Sequence, residues 1–232
     1  MTIRFHEFTD FTALTEALCA EWMQLIGTSA NGSSFALAGG STPAPVYRRL
    51  DELLAASSSA HPVRLVATDE RWVTDADRQS NEGLFRRSLS QSARDRRWQL
   101  ISLKNSAGTP EIATEAIHDR LQQAFPAPFT GVLLGMGSDG HIASLFPGAP
   151  TQHDELDCLA AVHPQTRQCR MSLSLPRLLN SERIWLVISG QEKRDVLRQA
   201  KQQAAAQATG TPLPVSALLQ QSRAPVEVFW CP

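Results

Sequence analysis

Short apolar runs alternate with longer amphipathic segments along this chain. In the first amphipathic segment, Phe11, Leu14 and Leu18 recur at helical spacing. Helices are predicted over five such segments: Asp10 to Ile26, Pro43 to Ala55, Asn81 to Leu89, Thr109 to Ala124 and Gln191 to Gln203. Strands are predicted over five apolar runs: Phe35 to Ala38, Val63 to Ala67, Gly131 to Leu134, Ile184 to Ile188 and Val226 to Trp230.

Apolar strands that are joined through helices predict a parallel sheet that is covered on both faces. We therefore expect an α/β fold with a three-layer, Rossmann-like, doubly wound and mostly parallel sheet, in one domain over residues 1–232. The Arg170 to Leu175 segment alternates polar and apolar residues, which is typical of a half-exposed strand. Ligands of such sheets bind beyond the carboxyl ends of the strands, so the residues directly after each apolar run are the candidates for a site.

The charge balance excludes a general attraction to nucleic acid or to an anionic membrane. Lys and Arg number 22 against 23 Asp and Glu, a net charge of −1. No stretch approaches the roughly 20 apolar residues of a membrane span, and the first ten residues lack the apolar core of a signal peptide. The four cysteines form no CxxC pair, so we expect reduced thiols and a cytoplasmic protein.

The loop after the first predicted strand reads Gly39-Gly40-Ser41-Thr42-Pro43. Two glycines let the backbone approach a ligand, Ser41 or Thr42 is a good N-cap, and Pro43 suits the first helical turn. The amides of a helix N-terminus together with two hydroxyls would bind an anion. An ordinary capped strand-to-helix turn has the same sequence features, so both interpretations stand. The loop is not a Walker motif, because no Lys follows at the required spacing.

The third predicted strand is followed by a GxGxxG pattern, Gly135 to Gly140. Glu155 and Asp157 lie near the distance expected of a ribose-binding acid in a dinucleotide site. That kind of site also needs a long helix after the third glycine. Pro147 ends the following segment after barely two turns, which argues against a dinucleotide site.

The same glycines expose Asp139 and His141, two residues apart, at a strand end. A carboxylate beside a histidine orients the imidazole and supports its positive form. This combination suits a general base that acts on water.

Charged residues also follow two other predicted strands and begin a further one. Asp69, Glu70 and Arg71 come directly after the second strand, and Ser80-Asn81 can cap the next helix. Each of these charges is compatible with an ordinary surface turn. Arg170 and Lys193, at the start of the alternating strand and after the fourth strand, would together neutralise a phosphate dianion.

Taken together, these segments resemble the 6-phosphogluconolactonases of the short bacterial type. The resemblance covers nearly the whole chain and rests on Leu37 to Pro43, Thr68 to Val73 with Ser80-Asn81, Leu134 to Pro147, Arg170 to Leu175 and Ser189 to Lys193. It implies hydrolysis of 6-phospho-D-glucono-1,5-lactone to 6-phospho-D-gluconate in the pentose phosphate pathway, without an obligatory metal or cofactor. It also implies a fold shared with glucosamine-6-phosphate deaminases.

The resemblance further assigns roles to the candidate residues. The histidine that matches His141 activates water in that family, and the acids that match Asp69 and Asp139 lie beside it. The family holds the phosphate with its glycine loop and basic residues, so the substrate-binding candidates are Gly39, Gly40, Ser41, Thr42, Arg71, Arg170 and Lys193. Whether Glu70 and Arg71 touch the substrate or only support the site is left open. The expected partner is a small sugar-phosphate lactone, with no nucleic acid and no membrane, and the expected state is a monomer or weak dimer.

Two other functions are compatible with parts of the pattern. An aminosugar-phosphate deaminase-isomerase on the same scaffold would follow its DGHIA segment with an aromatic residue, Asn and Glu, whereas this chain has Ser144-Leu145-Phe146. A sugar-phosphate-sensing domain of a transcription regulator would keep the phosphate loop without needing Asp139 or His141. It would normally also carry a helix-turn-helix and a basic face.

Overall fold

A seven-stranded parallel sheet forms the centre of the computed structural model, which describes residues 3–29, 32–57, 63–94, 96–149, 155–206 and 213–232. In spatial order its strands are β1 (Arg4–Glu7), β10 (Val226–Cys231), β9 (Ile184–Ser189), β6 (Gly131–Leu134), β2 (Ser34–Leu37), β3 (Val63–Ala67) and β5 (Trp98–Leu100). Every side chain of β2 and β6 is buried, so both faces of the sheet are covered.

Helices connect the strands of this sheet. Those of the described residues are α1 (Phe11–Thr28), α2 (Ala44–Ala56), α3 (Asn81–Ser88), α4 (Ser90–Arg94), α5 (Pro110–Ala124), α6 (Leu175–Leu179), α7 (Gln191–Ala206) and α8 (Pro214–Gln220). The Asp10 carboxylate caps α1 by accepting the amide of Ala13 at 2.9 Å. Trp22, in the apolar stripe of α1, packs its ring 5.0 Å from that of Phe35 and 5.4 Å from that of Trp185.

A second, antiparallel sheet lies beside the carboxyl end of β3. It consists of β4 (Asp69–Arg71), β8 (Cys169–Leu173) and β7 (Cys158–Val162), with β8 in the middle. Thr68 joins the two sheets, because its amide donates to the Leu37 carbonyl and its carbonyl accepts from the Leu173 amide, at 2.9 and 2.8 Å. The small sheet is thereby held over the end of the large one.

The order of the strands places a crevice between β2 and β6. From β2 the chain continues outward through β3 to β5, and it then returns to the other side of β2 to form β6. The loops that leave β2 and β6 therefore run in opposite directions, which opens a crevice at the carboxyl ends of these strands.

The structure confirms the predicted α/β fold, with all five predicted strands and all five predicted helices present to within a few residues of their ends. The hydrophobic pattern did not predict β1, because Arg4–Glu7 contains only one apolar residue. It also did not predict the three-residue strands β4 and β5. It also missed β7. The interpretation of Arg170 to Leu175 as one half-exposed strand was wrong: Arg170 to Leu173 are all buried, and Leu175 begins α6.

Candidate active site

The crevice beyond β2, β3, β6 and β9 is a cavity of about 270 Å³. Nine of the ten predicted site residues line it: Gly39, Gly40, Ser41, Thr42, Asp69, Arg71, His141, Arg170 and Lys193. Asp139, the tenth, is not among the lining residues but contacts His141. Residues that are up to about 150 positions apart in the sequence thus converge on one volume.

The loop after β2 contributes backbone amides to the crevice. The amides of Gly39, Gly40, Ser41 and Thr42 have no hydrogen-bond acceptor among the described residues. Gly40 has a φ of +95°, a conformation that favours glycine, and it turns the chain so that successive amides are left open. Such a row of unsatisfied donors is a concave site for an anion.

The predicted N-cap of the following helix was wrong. Helix α2 begins at Ala44, its N-cap position is Pro43, and neither Ser41 nor Thr42 bonds its hydroxyl to another described residue. Pro43 and Pro45 also lack amide hydrogens. The helix end therefore offers fewer donors than predicted, and the loop amides and the two hydroxyls are what remain for a ligand.

The histidine of the loop after β6 is held by the neighbouring aspartate. The Nδ1 atom of His141 lies 2.6 Å from Oδ1 of Asp139, and the His141 amide donates to the same oxygen at 3.2 Å. Burial opposes ionisation of Asp139, but His141 outweighs it and holds the pKa of this carboxyl below its usual value. With Nδ1 bonded to the carboxylate, Nε2 is the ring nitrogen that remains to accept a proton.

Gly137 makes room for this pair. A Cβ atom at Gly137 would lie 2.3 Å from the Nδ1 and Cε1 atoms of His141 and 2.6 Å from Oδ1 of Asp139. The Gly137 amide donates to the His141 carbonyl at 2.9 Å, which closes the loop around the ring. The glycine is thus required by the close approach of the two side chains.

Asp69 is buried at the start of β4, in a network that links three loops. Its Oδ2 atom accepts from the Ser144 hydroxyl at 2.6 Å and lies 3.4 Å from a guanidinium nitrogen of Arg170. The amide of the Asn81 side chain donates to the Asp69 carbonyl at 2.6 Å. Ser144 in turn accepts from Arg170 at 3.3 Å. The Asp69 carboxylate therefore has a fixed position in the crevice, held from three directions.

Glu70 supports the site without lining the crevice. Its fully buried carboxylate accepts the amides of Arg71, Asn81 and Glu82 at 2.7 to 2.9 Å, and it lies 3.2 Å from Nζ of Lys104. These bonds anchor the N-terminus of α3, where Ser80 is the N-cap as predicted. The partners of the Glu70 carboxylate among the described residues are all protein groups, so Glu70 supports the scaffold of the site.

Arg71 and Arg170 bring two positive charges to the same wall. They lie directly opposite one another in the antiparallel pairing of β4 and β8, which is unfavourable for like charges. Burial lowers the pKa of Arg170, Asp69 partly offsets this, and Arg71 adds to the lowering. Lys193, in the first turn of α7, forms no ion pair with a described residue. An anion in the crevice would relieve this excess of positive charge.

The loop after β6 does not have the geometry of a dinucleotide site. Residues 141–149 form turns and a bridge between Ile142 and Leu145, and no helix follows Gly140. Asp157, one of the two acids near the distance of a ribose-binding residue, accepts from Gln122 at 3.0 Å, and its carboxylate lies 3.6 Å from Nε of Arg177. The glycines of the GxGxxG pattern instead shape the loop that carries His141.

Two supporting residues were not among the predicted site residues. Asn81 was predicted only as a cap, yet its side chain also bonds to Asp69 and leaves no room for a Cβ at Gly39, which would lie 1.8 Å from its Oδ1. Ser144 is 75 residues from Asp69 in the sequence, and no local pattern predicts their contact. The only signal for Ser144 was its place three residues after His141.

One group of metal-ligating side chains converges elsewhere in the described residues. His6, Glu21 and Glu227 have donor atoms within 4.8 Å of one another. Each carboxylate already has protein partners, because Glu227 bonds to His6 and Arg183 and Glu21 accepts from the indole of Trp185. The crevice itself has no such group among the described residues. Within the described part of the chain, no helix has the length and apolar character needed to cross a bilayer.

Comparisons with known proteins show the family of this chain. A 6-phosphogluconolactonase of Caulobacter vibrioides is 37% identical over 211 residues, which are 84% of this chain and 82% of that protein. The crystal structure of a 6-phosphogluconolactonase from Shewanella baltica superposes with a TM-score of 0.87 at 29% identity, covering 100% of this chain and 98% of that one.

A more distant structure, a monomeric glucosamine-6-phosphate deaminase, has a TM-score of 0.78 at 19% identity over 97% of both chains, which shows the shared fold. The family model that describes glucosamine-6-phosphate isomerases and 6-phosphogluconolactonases matches residues 9–230. The match spans nearly the whole chain and includes every residue of the crevice described above. This chain therefore belongs to the glucosamine-6-phosphate isomerase/6-phosphogluconolactonase family.

Proposed function

We propose that this protein hydrolyses 6-phospho-D-glucono-1,5-lactone to 6-phospho-D-gluconate, as a cytoplasmic enzyme of the pentose phosphate pathway. The observation that carries the proposal is the His141–Asp139 pair, 2.6 Å apart, at the same crevice as an open row of loop amides and three basic side chains. The relatives named 6-phosphogluconolactonase support the same activity.

The phosphate is bound at the β2 side of the crevice. The amides of Gly39 to Thr42 and the Ser41 and Thr42 hydroxyls donate to its oxygens, and Arg71 and Lys193 supply charge. This group lies remote from the reacting carbon, so its binding energy orients the lactone rather than activating it. Arg170 contributes to the local positive charge and positions Asp69.

His141 acts as the general base. Nδ1 donates its proton to the hydrogen bond with Asp139, so Nε2 removes a proton from a water molecule as that water attacks the lactone carbonyl. The imidazolium that forms is stabilised by the carboxylate of Asp139. Asp69 adds a second negative charge to the crevice, and its three protein partners keep that carboxylate in place.

Charge develops on the carbonyl oxygen as the tetrahedral intermediate forms. In the loop after β6, the amides of Gly137 and Gly140 are used within the loop, whereas those of Gly135 and Met136 have no acceptor among the described residues. Both residues line the crevice, and we assign the oxyanion to these two amides. The bond from the carbonyl carbon to the ring oxygen then breaks, and the His141 imidazolium returns its proton to that oxygen. The products are a carboxylic acid, which releases its proton to solvent to become the carboxylate, and a hydroxyl group on an open chain.

The family also contains aminosugar-phosphate isomerases, so the reaction needs a direct test. Ser144 lies in the segment where a deaminase is expected to have an aromatic residue, Asn and Glu. Its hydroxyl donates to the Asp69 carboxylate. Ser144-Leu145-Phe146 supplies no carboxylate near His141.

The purified protein is incubated with fresh lactone, with 6-phosphogluconate dehydrogenase as the reporter. A parallel sample receives glucosamine 6-phosphate and is assayed for ammonia. We expect product formation well above the spontaneous rate in the first sample and no ammonia in the second. Ammonia release without lactone hydrolysis would establish the deaminase instead, and activity in neither sample would favour a sensing domain.

A further inference from the structure

A second pocket, of about 430 Å³, lies next to the crevice and shares a wall with it. The shared residues are Gly40, Ser41 and Arg71, and we call this second volume the outer pocket. Arg48 from α2 and Arg78 from the loop after β4 line it together with Arg71, and no Asp or Glu is among its described lining residues. Three arginines therefore line one volume in a chain whose net charge is −1.

The charges of the outer pocket are not balanced by neighbouring acids. Arg48 and Arg78 form no ion pair with a described residue, although acidic groups lie close by in the sequence. Those acids pair with other arginines: Glu16 and Glu52 contact Arg49, and Asp75 contacts Arg86. The carboxylates of Glu16, Glu52 and Asp75 are thus committed to other arginines, and Arg48 and Arg78 are left for a ligand.

The wall between the two pockets is held in place. The guanidinium of Arg71 donates to the Gln79 carbonyl at 2.5 Å, which ties the loop that carries Arg78 to β4. The Nε atom of Arg71 is buried and has no partner among the described residues. Arg71 therefore stands between the crevice and the outer pocket with hydrogen-bonding capacity that the protein does not use.

We propose that the outer pocket is a second anion site, which binds a phosphate group other than that of the lactone in the crevice. Guanidinium groups bind phosphate oxygens in pairs, and three of them around one volume suit a dianion. An anion there competes for the charge and the unused hydrogen-bonding capacity of Arg71, so its binding weakens the binding of the lactone phosphate and the two sites oppose one another. The inference about inhibition rests on the proposed function, whereas the existence of the site does not.

Inorganic phosphate is the probe, and its binding is measured by titration calorimetry with the wild-type protein and two double variants. Arg48→Gln with Arg78→Gln removes two charges of the outer pocket. Arg94→Gln with Arg198→Gln removes two exposed charges elsewhere and is the control. We expect two phosphate sites in the wild type and in the control, and loss of one site, or at least a tenfold weakening of it, in the first double variant. One site in all three proteins would overturn the proposal.

Inhibition kinetics provide the second measurement. Without phosphate, the first double variant should keep kcat and KM for the lactone within about twofold of the wild-type values, and it should be inhibited several-fold less strongly by added phosphate. A several-fold rise in its KM without added phosphate would mean that Arg48 and Arg78 bind the lactone's own phosphate, and would overturn the proposal of a second site. If the protein has no lactonase activity, the calorimetric comparison still decides whether the outer pocket binds phosphate.

Discussion

His141 and Asp139 are joined twice: the ring Nδ1 and the backbone amide of His141 both contact Oδ1 of Asp139, at 2.6 and 3.2 Å. The hydrogen bond from the backbone amide fixes the Asp139 carboxylate, and the hydrogen bond to the ring then fixes the orientation of the imidazole. The side chain of Asp139 is 46% exposed, so the pair lies at the mouth of the crevice rather than in its floor. A water molecule can therefore reach the imidazole from solvent.

Replacing Asp139 with Asn tests the electrostatic part of this contact. The Asn oxygen can still accept from the ring and from the amide, but it cannot stabilise the imidazolium as a carboxylate does. We expect kcat for lactone hydrolysis to fall about 100-fold, a size typical of an impaired general base, with KM nearly unchanged. The matched control is Ser138→Ala, an exposed change in the same loop, which should leave kcat within about twofold. Equal activity of both variants would remove Asp139 from the mechanism.

The same pair makes a pH-dependent contribution to stability. The folded pKa of Asp139 lies below its unfolded value of about 3.9, so its contribution is present above that pH and is lost as the pH falls through the folded pKa. The difference in free energy of unfolding between wild type and Asp139→Asn should therefore shrink as the pH is lowered from about 6 to about 3. Urea denaturation of both proteins across this range measures it, because the other carboxyl groups cancel in the difference. A difference that grows on acidification would contradict the assigned direction.

Gly137→Ala tests whether the position of the imidazole matters. The added methyl group would lie 2.3 Å from the His141 ring, so the ring must turn or shift. A displacement of about 1 Å can cost about 100-fold in rate, and we expect a loss of that size in kcat with little change in KM. Gly108→Ala is the control, because a Cβ there meets no atom within 4 Å. Wild-type kcat in Gly137→Ala would show that the ring position is not important.

Glu70→Gln tests the support beneath the site. The substitution removes one of the carboxylates that contact the part-buried Lys104 ammonium, which keeps Asp75 at 2.8 Å, and it places an amide group opposite the backbone donors of Asn81 and Glu82. Losing the charge-assisted hydrogen bonds of a fully buried carboxylate costs about 3 to 5 kcal/mol in total, and a chain of this size loses about 2 to 4 °C in Tm per kcal/mol. Thermal unfolding should therefore show a decrease of about 10 °C. Glu52→Gln, at an exposed ion pair with Arg49, should change Tm by no more than about 2 °C, and a similarly small change for Glu70→Gln would refute the structural role.

Sequence pattern predicted the centre of the fold better than its edges. Strands β2, β6 and β9 are buried on both faces, which produces continuous apolar runs, whereas the edge strand β1 contains a single large apolar residue, Phe5. The small sheet contains polar strand residues, such as Arg71 and Arg170, whose partners come from distant parts of the chain. Its buried Arg170 and Ser172 looked like exposed positions because the pattern contains no information about those partners.

The candidate site was predictable where it depended on strand ends. Gly39, Asp69 and His141 follow the strands closely, and parallel strands bring their carboxyl ends to one edge. The support around them was not predictable, since Ser144 and Asn81 reach Asp69 through tertiary contacts. The outer pocket likewise depends on which arginines lack an acidic partner, and this follows only from the folded structure.

The general base is the central claim, and His141→Ala tests it most directly. The kcat of lactone hydrolysis is measured with saturating substrate, after subtraction of spontaneous hydrolysis and with Tm recorded to confirm folding. A positioned general base contributes about 100- to 10,000-fold, so we predict a fall in kcat of that order with KM changed by less than about threefold. A His141→Ala protein that is folded and retains near-wild-type kcat would contradict the account.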